Sequence, residues 1–425
     1  MRTIYTSTLT GFLSLVFAAL SLSAIGQAKK FKGQSSYNAM PTENRAVAAQ
    51  WKGIFSGPDS TIFFRNDFAG ARLNGVAKVN DTLYDCLITP ENLPINPSPW
   101  YAFKVWSKEP KVLTLRLSYT GDIKHRYLPK ISYDGVHWEP VAATQLQKDS
   151  TGRTCKFRLS VNQDTVWVAA QEIITAAQVN EWSRGLSDQV PATIQSIGSS
   201  HQGRELNVVK LGNVESKHVV LFIGRQHPPE ITGYYAFQAF VETLVSSDDP
   251  LAKEFREQFA IYLVPVVNPD GVDGGFWRHN AGGIDLNRDW SAFNQPETQA
   301  VRDFLKQELT PSRKLYFAID FHSTYEDIYY TLAPELKRNT TGLLSAWMDR
   351  IRAELPGYDP NVRANYSKPP TLTAFSYFYE TYGAESVIYE IGDRTPTDFI
   401  QKKSHVAAKE MMKLLLAELS KDEKK

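Results

Sequence analysis

The sequence predicts an α/β protein: a mixed, largely parallel sheet with helices on both faces, preceded by a β-sandwich domain. Three observations predict it. At 425 residues the chain exceeds what one hydrophobic core usually supports, so two domains are expected. From residue 31 to about 172, short runs alternate apolar and polar residues with no long helical period between them. From about 173 onward, strand-like runs alternate with helical ones. The expected division is a leader at 1–28, a β-sandwich accessory domain at 31–175 and an α/β domain at 185–420.

The first domain is read from its strands and turns. "YAFKVWS", "VLTLRLSY", "KISYDGVHWEPV", "CKFRLSV" and "TVWVAA" alternate in the strand period, and Asp134-Gly135 between two such runs is a hairpin signal. Its two cysteines, Cys86 and Cys155, lie in strand-like surroundings and outside any metal-spacing pair. Two readings stay open for them: a disulfide, which over so long a loop would contribute roughly 4 kcal/mol, or two buried thiols.

In the second domain "TAAQVNEWSRGL" is helix-like. The strand "HVVLFIG" leads to a helix over about 232–244, and "FAIYLVPVVN" leads through a loop to a helix over 296–307. "KLYFAIDFH" leads to a helix over about 341–353, and "ESVIYEIG" to a last helix over about 397–418. No internal repeat or low-complexity segment interrupts this order.

Composition narrows the function. Hydrophobic residues make up 42% and charged residues 22%, and 47 basic side chains meet 46 acidic ones for a net charge of +1. A chain without a basic field has no means of recruiting nucleic acid. The N-terminus has Arg2, an uncharged and mostly apolar stretch, then small residues before Lys29, which is the layout of a secretory signal peptide cleaved after Gly26 or Ala28. The expected mature protein is secreted or periplasmic, and no later segment is apolar enough to span a membrane.

The chemistry-bearing residues of the second domain fall where its strands end, the place where open α/β sheets bind ligands. His227 and Glu230 follow one strand in "GRQHPPE", His322 ends another in "IDFHS", and Glu390 ends a third in "YEIGD". Two histidines and a glutamate suit a catalytic zinc, which keeps a fourth position for water. The Gly-rich loop 268–290 carries Arg278, Asp285, Asn287 and Arg288, and two arginines around an asparagine make an anion clamp. Glu390 closes an otherwise apolar strand, where a carboxylate is costly without a task or a partner.

These motifs, in order "HPPE", "NPDG", "WR", "GIDLNRDW", "DFHS" and "YEIGD", resemble the zinc carboxypeptidase (carboxypeptidase A-like) family over most of residues 190–420. The β-rich region ahead, with "NPSPWYAFKVWS" and "DTVWVAA", resembles the N-terminal domain of cytosolic-type carboxypeptidases. The resemblance implies one zinc ion per chain held by His227, Glu230 and His322, with Asp285 orienting His227. It implies that Asn287 and Arg288 hold the terminal carboxylate of a peptide substrate, that Arg278 polarises the scissile carbonyl, and that Glu390 is the general base. It also implies a tyrosine closing over the substrate, for which Tyr366 is the candidate and Tyr377 competes. The specificity pocket is expected near Thr373 to Ser376, where no residue is charged; this argues against strict preference for basic or acidic termini.

Two other readings accompany this one. Aspartoacylase-like zinc amidohydrolases of N-acylated amino acids share the His, Glu, D-x-N-R and D-x-H elements, but "NPDG", "FWR" and "EIGD" fit carboxypeptidases better. A non-catalytic peptide-binding protein on the same scaffold would have lost a ligand or the base, and here all are present.

Overall fold

The computed structural model describes residues 2–3, 41–57, 60–340 and 342–422. Apart from Arg2 and Thr3, the segment expected to be a signal peptide lies outside the described residues. The chain forms two compact units, one containing 45–175 together with 271–279, the other containing 41–44, 176–270 and 280–422. The excursion at 271–279 lies inside the Gly-rich loop that the sequence reading placed wholly in the second domain.

The N-terminal unit is built of two sheets, one of seven strands and one of five. The alternation seen in the sequence is the alternation of burial. Leu113, Leu115, Leu117 and Tyr119 of strand Lys111–Tyr119 are buried while the residues between them are not, and strands Leu83–Ile88 and Thr154–Val161 repeat the pattern. The hairpin signal at Asp134-Gly135 joins Lys130–Ser132 to Glu139–Pro140, which pair antiparallel.

The five-stranded sheet decides the cysteine question. Cys86 and Cys155 are both register partners of Leu117, one on each side of its strand. With strands about 4.8 Å apart, their Cα atoms stand about 10 Å from each other, beyond the roughly 7 Å a disulfide spans. Both are buried free thiols.

The second unit carries an eight-stranded sheet. Its strands are β1 Ala192–Ser199, β2 Glu205–Gly212, β3 His218–Gly224, β4 Ala260–Val264, β5 Lys314–Thr324, β6 Ile328–Thr331, β7 Val362–Ala364 and β8 Glu385–Gly392. Their order is β1-β2-β4-β3-β5-β8-β6-β7. The centre, β4-β3-β5-β8, is parallel, and the antiparallel pairs lie outward of it. The helices are α1 Ala176–Gly185, α2 Ile231–Leu244, α3 Pro250–Gln258, α4 Pro296–Glu308, α5 Leu343–Glu354, α6 Ala374–Tyr382 and α7 Thr397–Asp422. Among the described residues no helix is long and apolar enough to cross a membrane.

Strand β3 is buried on both faces, as a central parallel strand requires. Val219, Leu221 and Ile223 join a core with Phe304 and Leu305 of α4 and Phe378 of α6. Phe222, between them, packs on Phe240 of α2 with ring centroids 5.2 Å apart. On β5, Ala318 belongs to the core with α4 and α6, whereas Phe321 meets Phe237 and Phe240 of α2. By that alternation Asp320 and His322 leave β5 on the α4–α6 side.

Several elements absent from the sequence reading carry no clear local pattern. β1 has no buried residue and every residue of β7 is on the surface, so neither shows an apolar pattern, and β6 is only four residues long. Helix α6, "AFSYFYETY", is so aromatic that its helical period is obscured.

Candidate metal centre

The turn after β3 sets the first donor. Arg225 takes a left-handed φ of 52°, a conformation that costs a non-glycine residue about 1 kcal/mol or more and is common next to functional sites. Its Nη2 donates to the Pro228 carbonyl at 2.9 Å, tying the turn across the two prolines. Glu230 then serves as the residue before the first turn of α2. Helix and strand are locked together, because Gly233 N and Thr232 Oγ1 donate to Ser323 Oγ at 2.8 and 2.9 Å. A Cβ at Gly233 would stand 2.4 Å from the His322 carbonyl oxygen, so only glycine permits this approach.

The result is a convergent donor set. His227 Nδ1 lies 2.9 Å from Glu230 Oε1, and His322 Nδ1 lies 2.7 Å from Glu230 Oε2. The ligand atoms of His227, Glu230 and His322 all lie within 4.8 Å of one another, and among the described residues no other such group occurs. Each imidazole is gripped from behind: His227 Nε2 meets Asp285 Oδ1 at 2.9 Å, and His322 Nε2 meets Asp320 Oδ2 at 2.8 Å. A carboxylate on the outer nitrogen fixes which nitrogen faces inward and raises its basicity, the arrangement that metal-binding histidines use. Gln226 completes this shell, donating to Asp320 Oδ2 at 2.7 Å and accepting from Trp290 Nε1 at 2.9 Å.

The electrostatics ask for a cation. Glu230, Asp285 and Asp320 are nearly or fully buried around two buried imidazoles. Burial works against ionisation of Glu230, yet the neighbouring His227 and His322 rings hold its carboxyl well below the usual range. Burial would depress His322, but Asp320 and Glu230 hold it well above its ordinary value. Three buried carboxylates thus draw positive charge to the point where the Nδ1 atoms and Glu230 meet. A divalent cation supplies that charge without protons, and the nitrogen-and-oxygen donor set suits zinc.

Glu390 of β8 is the register partner of His322. Side chains at paired positions of neighbouring strands leave on the same face, so Glu390, half-buried, rises beside His322. Asp285 does double duty, since it accepts from Asn287 N at 3.0 Å and so caps the short turn Leu286–Arg288. Asn287 Nδ2 lies 3.3 Å from His322 Nε2, and its Oδ1 accepts from Ala374 N at 2.8 Å, joining the first residue of α6 to the site. Arg288 Nη1 donates to the Asn287 carbonyl at 2.7 Å and approaches Asp285 Oδ2 at 4.0 Å.

Arg278 belongs to segment 271–279, which groups with the N-terminal unit. Tyr366 is half-buried and packs edge-on against Tyr379, with ring centroids 5.7 Å apart. Tyr377 is 5% exposed and committed to an aromatic cluster with Trp290, Phe293 and Tyr382, which leaves Tyr366 the freer of the two. The stretch expected to line the specificity pocket is hydroxyl-rich, with Thr373 Oγ1, Ser376 Oγ and Ser367 Oγ within 3.1 Å of one another. Neither Asp320, which by sequence could equally be a turn or cap residue, nor Gln226 is singled out by the sequence. The available signal was D-x-H on a strand, which sets both side chains on one face.

Comparison with known proteins agrees with this geometry. The family model described as "Zinc carboxypeptidase" matches residues 179–408. An uncharacterized protein of Zymomonas mobilis is 22% identical over 280 residues, covering 63% of this chain and 70% of that one. Mouse cytosolic carboxypeptidase 6 is 32% identical over 139 residues, covering 30% of this chain and 26% of its own. Mouse cytosolic carboxypeptidase 3 is 23% identical over 320 residues, covering 67% and 32%. The chain spans about a quarter to a third of the length of these two cytosolic carboxypeptidases. Among solved structures, a metallo-carboxypeptidase from Burkholderia cenocepacia superposes with a TM-score of 0.70 at 19% identity, covering 85% of this chain and 99% of that one. One from Pseudomonas aeruginosa, in complex with (2-guanidinoethylmercapto)succinic acid, gives 0.67 at 20% identity, covering 83% and 98%. At these identities the likeness is one of fold.

Proposed function

The chain belongs to the zinc carboxypeptidase family, and on that premise we propose that it is a zinc-dependent metallocarboxypeptidase that removes the C-terminal residue of peptides. The observation that carries the reading is the convergence of His227, Glu230 and His322, with Glu390 in register beside His322. One zinc ion would be held by these three side chains; when bound, it lowers the pKa of a water to about 7 and offsets charge on the carbonyl oxygen.

The remaining work falls to the chain. Asp285 and Asp320 keep the two imidazoles turned inward. Asn287 and Arg288 grip the terminal carboxylate of the substrate, so that only the last peptide bond is presented. Arg278 donates to the carbonyl oxygen as negative charge grows there, an interaction whose loss typically costs about 100- to 1,000-fold. Glu390 accepts the proton of the attacking water and passes it to the leaving amine nitrogen, so that carboxylate and free amino acid are released and Glu390 is regenerated. Tyr366 covers the bound peptide.

The hydroxyl-lined stretch at Thr373 to Ser376 supports uncharged terminal side chains. The test is mass spectrometry of a mixed peptide library incubated with the protein, with and without a zinc chelator. Chelator-sensitive loss of single C-terminal residues is expected. Zinc binding without trimming, together with hydrolysis of acylated amino acids, would replace this reading with that of an aspartoacylase-like amidohydrolase; zinc binding with neither activity would leave a peptide-binding protein.

The protein works outside the cytoplasm, secreted or periplasmic, a reading supported by the charged start, apolar run and small residues of 1–28. Intact-mass measurement of protein recovered from its host is expected to show a chain beginning after Gly26 or Ala28. A chain still carrying its first residues refutes export by cleavage.

A further inference from the structure

Glu91 has no role in anything derived above, yet its surroundings are those of a residue with a task. Its side chain has no exposure to solvent. Its two carboxylate oxygens accept from three consecutive backbone amides: Oε2 from Trp277 N at 2.8 Å, Oε1 from Arg278 N at 3.0 Å and from His279 N at 2.7 Å. The next residue repeats the grip, Asn92 Oδ1 lying 2.6 Å from His279 Nδ1. Around these contacts Trp277 Nε1 donates to the Trp100 carbonyl at 2.9 Å, and Gly70 N donates to the Asp273 carbonyl at 2.8 Å. Gly275, at a φ of 65°, brings its Cα against the Ala71 backbone, where a Cβ would stand 2.5 Å from the carbonyl oxygen. All of these groups lie in the N-terminal unit.

A buried carboxylate is costly unless strong hydrogen bonds compensate it, and amides donating to a charged acceptor are among the strongest. Three successive N–H groups on one carboxylate fix the backbone direction of the three residues between which Arg278 sits. We propose that Glu91 is a positioning residue for Arg278: it holds the 277–279 backbone so that the guanidinium is delivered in one orientation. Glu91 stands 187 positions away in sequence from the arginine it orients. This inference rests on the role assigned to Arg278 above.

A double-mutant cycle tests it, using the full chain loaded with zinc and a short peptide with a free C-terminus. Glu91→Gln keeps the size and loses the charge, and it is expected to lower kcat by about tenfold or more, as a displaced catalytic group does. KM, zinc content and the fold, followed by circular dichroism, are expected to change little. In the Arg278→Ala background the same substitution is expected to cost nothing further, because there is no guanidinium left to orient. Losses that multiply in the double variant, or an unchanged kcat in a folded Glu91→Gln protein, overturn the proposal while the role of Arg278 stands. Wild-type kcat in Arg278→Ala overturns that premise instead, and Glu91 falls with it. Should Glu91→Gln fail to fold, Asn92→Ala takes its place: a several-fold fall in kcat that vanishes in the Arg278→Ala background supports the proposal, and an unchanged kcat refutes it.

Discussion

Replacing Asp320 by Asn probes the metal centre at its least visible point. Asp320 has no solvent exposure, and one oxygen, Oδ2, takes both His322 Nε2 at 2.8 Å and Gln226 Nε2 at 2.7 Å. The other oxygen, Oδ1, is buried without a hydrogen-bond partner. An asparagine that keeps its oxygen toward the two donors must place its amide nitrogen at the buried position where Oδ1 makes no hydrogen bond. A hydrogen bond to a charged group is worth about 1.5–3 kcal/mol and a neutral one about 0.5–1.5, so the charge on Asp320 accounts for about 1–2 kcal/mol of the grip on His322. At 1.4 kcal/mol per tenfold this is a loss of about 5- to 30-fold in zinc affinity, overlapping the roughly 10- to 100-fold that such partners usually contribute. The assay is competition for zinc with a chromophoric chelator on protein whose fold is verified by circular dichroism. Asp285→Asn should act alike on His227. Unchanged zinc affinity in a folded Asp320→Asn protein would mean that Asp320 does not tune His322.

Three further outcomes are expected. Glu390→Gln should retain stoichiometric zinc after dialysis and lose about 100- to 10,000-fold in kcat; wild-type turnover would exclude Glu390 as the base. Burial pushes the Glu385 carboxyl up to about 7, although Arg338 Nη1 at 2.6 Å opposes it. A carboxyl that binds its proton more tightly folded than unfolded contributes stability that is present below about pH 4.5 and lost as pH rises to about 7, at most about 3 kcal/mol; the urea midpoint should fall across that window, and Glu385→Gln should remove the fall. Finally, Cys86 and Cys155 should both titrate as thiols in denatured, unreduced protein, and a reductant should leave the melting temperature unchanged. A single disulfide by mass would contradict the strand register that separates them.

Much of the second unit was legible because its signals are local. A strand buried on both faces, such as His218–Gly224, must be apolar throughout, and the residues after its end are the ones that reach a ligand. His227, Glu230, His322 and Glu390 each announce themselves by breaking an apolar run, and the family resemblance rests on their order. Less legible were elements with no local pattern. Exposed edge strands carry no alternation, and the aromatic helix Ala374–Tyr382 reads equally as a strand. The cysteines look alike in sequence whether paired or free, since only the intervening strand at Leu117 sets their separation.

The sequence by itself determined the kinds of chemistry available: two imidazoles and a carboxylate for a metal, a carboxylate to move a proton, and arginines for negative charge. Tertiary structure alone decided which groups support them. Asp320 grips His322 because β5 sets both side chains on one face, and Gln226, in the turn after β3, holds Asp320 from 94 positions away in sequence. Glu91 meets the backbone of Arg278 because two distant segments fold into one unit. The reason is physical. A metal ligand must be one of a few residue types, whereas a group that orients it need only offer a hydrogen bond at the right place, and place is a property of the fold.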